Sequence, residues 1–148
     1  MKLSKALNQK NKLVTEINNT FAKIAKYNSI VDGSNNPYDV KILLDHYKSK
    51  QEELIRLKTA VHAVSQPVRD KIFRLSELKS YAKKISQLDT KNGLIKEHGG
   101  YRSTSETIAY KATYDEVAIE QMVKETEKQI EALQEELDQF NYSTEVTW

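Results

Sequence analysis

Gly99-Gly100-Tyr101-Arg102-Ser103-Thr104-Ser105 is the densest grouping of chemistry-capable residues in this chain. Paired glycines permit a backbone concavity whose N–H groups can face an anion. Arg102 can add a bidentate contact to a phosphate or carboxylate, and the hydroxyls of Ser103, Thr104 and Ser105 can donate to the same group. Tyr101, Tyr110 and Tyr114 offer rings on which a base can stack. Together these residues suit an anionic small molecule such as a nucleotide, held in a pocket between subunits. Every one of them is also ordinary hairpin chemistry.

Elsewhere the side chains needed for catalysis are scattered. His46, His62 and His98 share no helix face at metal-binding spacing, and the chain contains no cysteine. Carboxylate clusters such as Glu135-Glu136 and Glu125/Glu127 fall on a solvated face, where nothing raises a carboxyl pKa into the range of a general acid. No catalytic residue, metal ligand or cofactor is assigned, and the expectation is a non-enzyme. A net charge of +2 is small for a nucleic-acid binder, and the lysines at Lys23, Lys26, Lys79, Lys83 and Lys84 are offset by acidic stretches. No window approaches 18 apolar residues, and the start is amphipathic rather than a signal peptide. Neither nucleic acid nor membrane is therefore expected as a partner, and the expected location is cytoplasmic.

What must position these residues is mostly helix. The 148 residues include only four glycines and two prolines, with 39% hydrophobic and 30% charged side chains. That balance suits one domain of solvated helices with narrow buried faces. Helices are expected over about 2–29, 38–63, 66–89 and 114–140. The breaker run Asp32-Gly33-Ser34-Asn35-Asn36-Pro37 separates the first two, with Asn36 as N-cap and Pro37 at the first helical position. Ser65-Gln66-Pro67 bends or restarts the chain between the second and third, leaving open whether these form one kinked rod. Residues 93–112 lack helical periodicity and read as a small β-hairpin-like excursion. Thr113-Tyr114-Asp115-Glu116 has the form of a capping box for the last helix, and residues 141–148 follow as an extended tail.

Two of these helices carry apolar residues at alternating steps of three and four. In the first they are Leu3, Leu7, Val14, Ile17, Phe21, Ile24 and Val31, with Lys10 and Asn28 filling the remaining places. In the last they are Ile119, Val123, Ile130, Leu133, Leu137 and Phe140. Such narrow stripes are seams that need a partner helix. Residues 1–31 hold six lysines against Glu16, whereas residues 115–138 hold nine carboxylates against Lys124 and Lys128. This charge split favours pairing of the first and last helices, within or between chains. In the tail, Tyr142, Val146 and Trp148 alternate with polar residues, so Trp148 is expected to dock. The fold class is thus all-α, an antiparallel helical bundle of long coiled-coil-like helices, and its seams imply a homo-oligomer.

Both ends of the chain resemble the septicolysin-like family of small all-helical bacterial proteins. The resemblance rests on the opening Met1-Lys2-Leu3-Ser4-Lys5-Ala6-Leu7 and on Asn28 before a Gly- and Pro-containing acidic turn. It rests also on the end, where Asn141-Tyr142-Ser143-Thr144-Glu145-Val146 is similar to an Asn-Trp-Thr-Thr-acidic-aliphatic terminus. The resemblance implies helical hairpins that assemble into homo-oligomers, and it transfers no catalytic or pore-forming residue. The functional expectation is a non-enzymatic assembly or scaffold protein acting through helical surfaces on itself or another protein. The alternative is an oligomer that sequesters an anionic small molecule.

Overall fold

The computed structural model describes residues 1–98 and 105–148. Among them the chain forms four α-helices, with a two-stranded antiparallel sheet before the last. They are α1 (Leu3–Tyr27), α2 (Val40–Val64), α3 (Arg69–Ser86), β1 (Gly93–His98), β2 (Ser105–Tyr110) and α4 (Glu116–Ser143). These residues fall into two compact units, Met1–Arg69 with Leu137–Trp148, and Asp70–Glu136.

In the first unit α1 and α2 run antiparallel. Glu16 meets His46, Phe21 meets Tyr47 with ring centroids 5.5 Å apart, and Tyr27 meets Tyr38 at 5.0 Å. The α1 seam is Leu3, Ala6, Lys10, Leu13, Ile17, Thr20, Ile24 and Tyr27, all buried or half-buried. Facing it, Val40, Leu43, Tyr47, Lys50, Leu54, Leu57, Val61 and Val64 form the matching row on α2. Half of the α1 row differs from the stripe expected through Leu7, Val14 and Phe21. Leu13 is 1% exposed, whereas Val14 is 36% and Phe21 51% exposed. Both rows obey three/four spacing with Leu3, Ile17 and Ile24, so local periodicity permits either. The side on which α2 lies selects Ala6, Leu13, Thr20 and Tyr27.

The ends of these helices are closed by specific groups. Lys2 gives α1 no side-chain cap, and the Leu3 N–H donates instead to the Thr144 carbonyl at 2.8 Å. The Val146 N–H donates to the Met1 carbonyl at 2.7 Å, so residues 144–146 pair antiparallel with the first three. Val146 is 1% exposed and joins Leu3, Ala6, Leu13 and Leu57 in a core cluster, with Phe140 packed against it. Burying each large aliphatic side chain there contributes about 1.5–3 kcal/mol. Between α1 and α2, Gly33 at φ 81° makes a turn closed by the Ser34 N–H to the Val31 carbonyl.

Asp39, rather than Asn36, caps α2, accepting from the N–H groups of Lys41 at 3.0 Å and Ile42 at 3.3 Å. Asn36 serves the connector: its amide donates to the Tyr27 carbonyl and its Oδ1 accepts from the Tyr38 N–H. At Pro67 a single 3-10 turn, Gln66–Val68, leads from α2 directly into α3. The proline stands at its start, where no N–H is required.

In the second unit Leu75, Ile85, Ile119 and Thr126 are buried. Lys71 and Glu136 form an ion pair between α3 and α4. Thr126 occupies a seam place, its hydroxyl satisfied by the Met122 carbonyl at 2.8 Å. The hairpin pairs Gly93 with Tyr110 through His98 with Ser105, the β-like excursion expected from the sequence. Asp115 is the α4 cap, accepting from the Ala118 N–H at 2.9 Å, so the helix starts two residues after Thr113 would have placed it. At its other end α4 continues to Ser143, which makes Tyr142 helical and exposed. The extended tail is therefore shorter than expected, and Trp148 within it remains 38% exposed. Val146 is the tail residue that docks.

Candidate functional site

Gly99, Gly100, Tyr101, Arg102, Ser103 and Thr104 lie outside the described residues. Ser105 opens β2 and Tyr110 closes it. Glu97 and Tyr110 share one face of the hairpin, because residues paired across an antiparallel ladder point the same way and side chains alternate along each strand. The Tyr110 hydroxyl donates to the Glu97 carboxylate. Lys91 lies 3.4 Å from the same carboxylate, 3.7 Å from Asp89 and 5.2 Å from the centre of the Tyr110 ring. The hydrogen bond from Tyr110, then that from Lys91, holds the Glu97 carboxyl below its ordinary range. The same bond to Glu97 pushes the Tyr110 phenol up, and Glu97 followed by Asp89 pushes the Lys91 ammonium up. This face gathers Glu97, its ladder partner Glu106 and the Tyr110 phenol, whose proton stays engaged in the bond to Glu97, with Lys91 and Asp89 beside it.

Two different edges flank the seam of the α1–α2 hairpin. Along one runs an open groove of about 680 Å³, walled by Lys12, Glu16, Asn19, Lys23, Leu43 and His46 among others. Glu16 bridges the helices there, 3.0 Å from His46 Nε2 and 3.9 Å from Lys50 Nζ. Lys50 also bonds Glu53 at 3.0 Å, and that bond, followed by burial acting in the opposite sense, leaves its ammonium above the ordinary value. These groups are solvated and already paired, so they set helix register more than they hold energy.

The opposite edge is apolar. It carries Val14 and Phe21 of α1 with Leu44 of α2, which is 37% exposed, and Ile55 about three turns further along α2, with Lys48 and Gln51 between them. Leu7 begins the same row and is half-buried against the core cluster. Phe21 packs on Tyr47 with the two rings tilted by 50° and keeps about half of its surface in solvent. Of the expected seam residues, Leu3, Ile17, Ile24 and Leu137 are thus buried, and Leu7, Ile130 and Leu133 half-buried. Val14, Phe21 and Trp148 are exposed.

A second groove, of about 430 Å³, lies in the other unit between Leu88 and the α4 residues Ile119 and Val123. Its rim carries Glu116, Glu120 and Glu127 with Lys124 among them. Leu88, expected in the third helix, lies beyond its end at Ser86 and walls this groove instead. Sequence reasoning missed the Glu16–His46–Lys50 bridge, and only the i, i+4 spacing of His46 and Lys50 hinted at it. Among the described residues no helix is long and apolar enough to cross a membrane. Compared with family models, with curated proteins and with solved structures, the chain matches none.

Proposed function

We propose that this protein is a non-enzymatic assembly protein whose working surface is the apolar edge of the α1–α2 hairpin. The observation that carries the reading is the row Val14–Phe21 beside Leu44, apolar at heptad spacing and left in solvent. Single exposed apolar residues need no explanation, but a contiguous row beside a filled seam is the pattern of a helix face awaiting another helix. In this reading the hairpin supplies half of an antiparallel helical bundle, and the other half comes from a binding partner. The polar groove on the opposite edge, bridged by Glu16, stays solvated and gives the hairpin one sticky side rather than two.

Sedimentation velocity over a wide dilution series tests this directly. The expected result is a concentration-dependent rise above the 17.1 kDa of one chain, or a stable complex with an added helical partner. A chain that stays at one-chain mass and whose Phe21→Ser variant behaves identically towards every partner tried would end the assembly reading.

A further inference from the structure

Asn92 and Gly93 meet at the entrance to β1, and they form the one Asn-Gly step in the chain. An asparagine side chain can be attacked by the backbone nitrogen of the residue after it. That nitrogen must carry a hydrogen, stand clear of side chains and be free of a helix. These conditions separate Asn92 from the other eight asparagines. Asn8, Asn11, Asn18, Asn19 and Asn141 lie within α1 and α4, where the helical hydrogen bonds hold the N–H that follows. Asn28 ends α1 in the same helical conformation, with φ −64° and ψ −32°. Asn36 precedes Pro37, which has no N–H, and Asn35 precedes Asn36, whose Cβ crowds the nitrogen.

At Asn92 the conditions are met. Both residues of the step are exposed. Gly93 has φ 87°, in the left-handed region, and a Cβ placed on it would meet nothing within 4 Å, so water and hydroxide reach this backbone. Gly93 is the first residue of β1, so its N–H is held by at most the end rung of the ladder, the one that frays first. On the other side, the Asn92 Oδ1 accepts from the Ala112 N–H at 3.2 Å. That donor polarises the side-chain carbonyl and faces the negative charge that attack places on Oδ1. The amide nitrogen, which must leave, has no partner among the described residues. Asp32–Gly33 has an equally open glycine at φ 81°, but an ionised carboxylate resists a nucleophile.

From this geometry we propose that Asn92 is a site of spontaneous covalent modification, converted to isoaspartate and aspartate through a succinimide. The Gly93 nitrogen loses its proton to hydroxide and bonds to Cγ of Asn92, and the Cγ–Nδ2 bond breaks as ammonia leaves. Water then opens the ring. Cleavage between the nitrogen and Cγ gives aspartate, and cleavage between the nitrogen and the main-chain carbonyl carbon gives isoaspartate. Either product adds a carboxylate. Isoaspartate also lengthens the main chain by one methylene and displaces the acceptor of the Ala112 N–H. The modification therefore acts on the tie between the start of β1 and the residues leading into α4.

Ageing the purified protein in warm, mildly alkaline buffer and mapping its peptides tests this. The expected result is a gain of about 1 Da confined to the peptide bearing residue 92, with isoaspartate the larger product. Hydrogen exchange at the Ala112 amide rises about threefold in the converted fraction. Gly93→Ala, which sets a side chain beside the attacking nitrogen, slows the gain about tenfold. Because that variant strains a left-handed position, Asn92→Gln stands beside it: its longer side chain would have to close a six-membered ring, and the gain disappears. Three results overturn the proposal: no conversion at Asn92 under conditions that convert the same sequence as a short peptide, a Gly93→Ala rate equal to that of the parent, or a gain that persists in Asn92→Gln. Unchanged exchange at Ala112 in fully converted protein overturns the link to the hairpin base.

Discussion

Glu145 shows how one exposed side chain can report on the closure of the chain ends. Its carboxylate accepts from Lys2 Nζ at 2.8 Å and lies 3.3 Å from the Met1 ammonium. Those two partners, Lys2 first, hold its carboxyl below the ordinary carboxylate range. A carboxyl lowered in the folded state stabilises it fully at neutral pH and down to its unfolded value, and that contribution is lost as pH falls through the folded value. The ¹³C carboxyl titration of Glu145 is therefore expected to have a midpoint below that of an unstructured glutamate. In Lys2→Ala the midpoint moves up, and added salt moves it the same way because the pair is solvated. An ordinary midpoint in the parent chain would remove Glu145 from the clasp.

At the scale of elements, the choice between two legal heptad rows on α1 is measurable. Leu13→Ala removes a buried side chain and is expected to cost about 2–5 kcal/mol in urea unfolding, as is Leu57→Ala opposite. Val14→Ala, one residue along at a 36% exposed position, is expected to cost under about 1 kcal/mol. Equal losses at positions 13 and 14 would mean that α2 lies elsewhere. Stop signals behave similarly. Glycine at position 33 and proline at 67 mark the two interruptions correctly, yet the cap of α2 is Asp39 and not Asn36. Both residues are good caps by type. Asn36 is instead held by the Tyr27 carbonyl, a partner nine residues away that no local rule anticipates.

On the scale of the whole molecule, the tail completes the first unit. Deleting residues 144–148 removes Val146 from the core, the acceptor for the Leu3 N–H, and both partners of the Met1 backbone. The expected loss, about 1.5–3 kcal/mol from Val146 alone, lowers the thermal midpoint by roughly 5–10 °C in a chain of this size. An unchanged midpoint by circular dichroism would show that the tail only rests on the helices.

The helices, the hairpin before the last of them and the α4 stripe from Ile119 to Phe140 were legible because they depend on near neighbours. Periodicity, turn residues and propensity act within a few positions, and they are present in any conformation of the chain. The sequence also displayed the apolar row Leu7–Val14–Phe21, but it could not say whether that row faces α2 or solvent. That decision belongs to tertiary structure, since one residue of phase separates the two rows and only the position of the partner helix distinguishes them. The docking of Val146 rather than Trp148, and the bridging of Glu16 to His46, were decided in the same way by groups distant in sequence. What the amino-acid order determined alone was the set of helices and their possible faces. What the fold decided was which face is spent on the chain's own core, and which is left exposed.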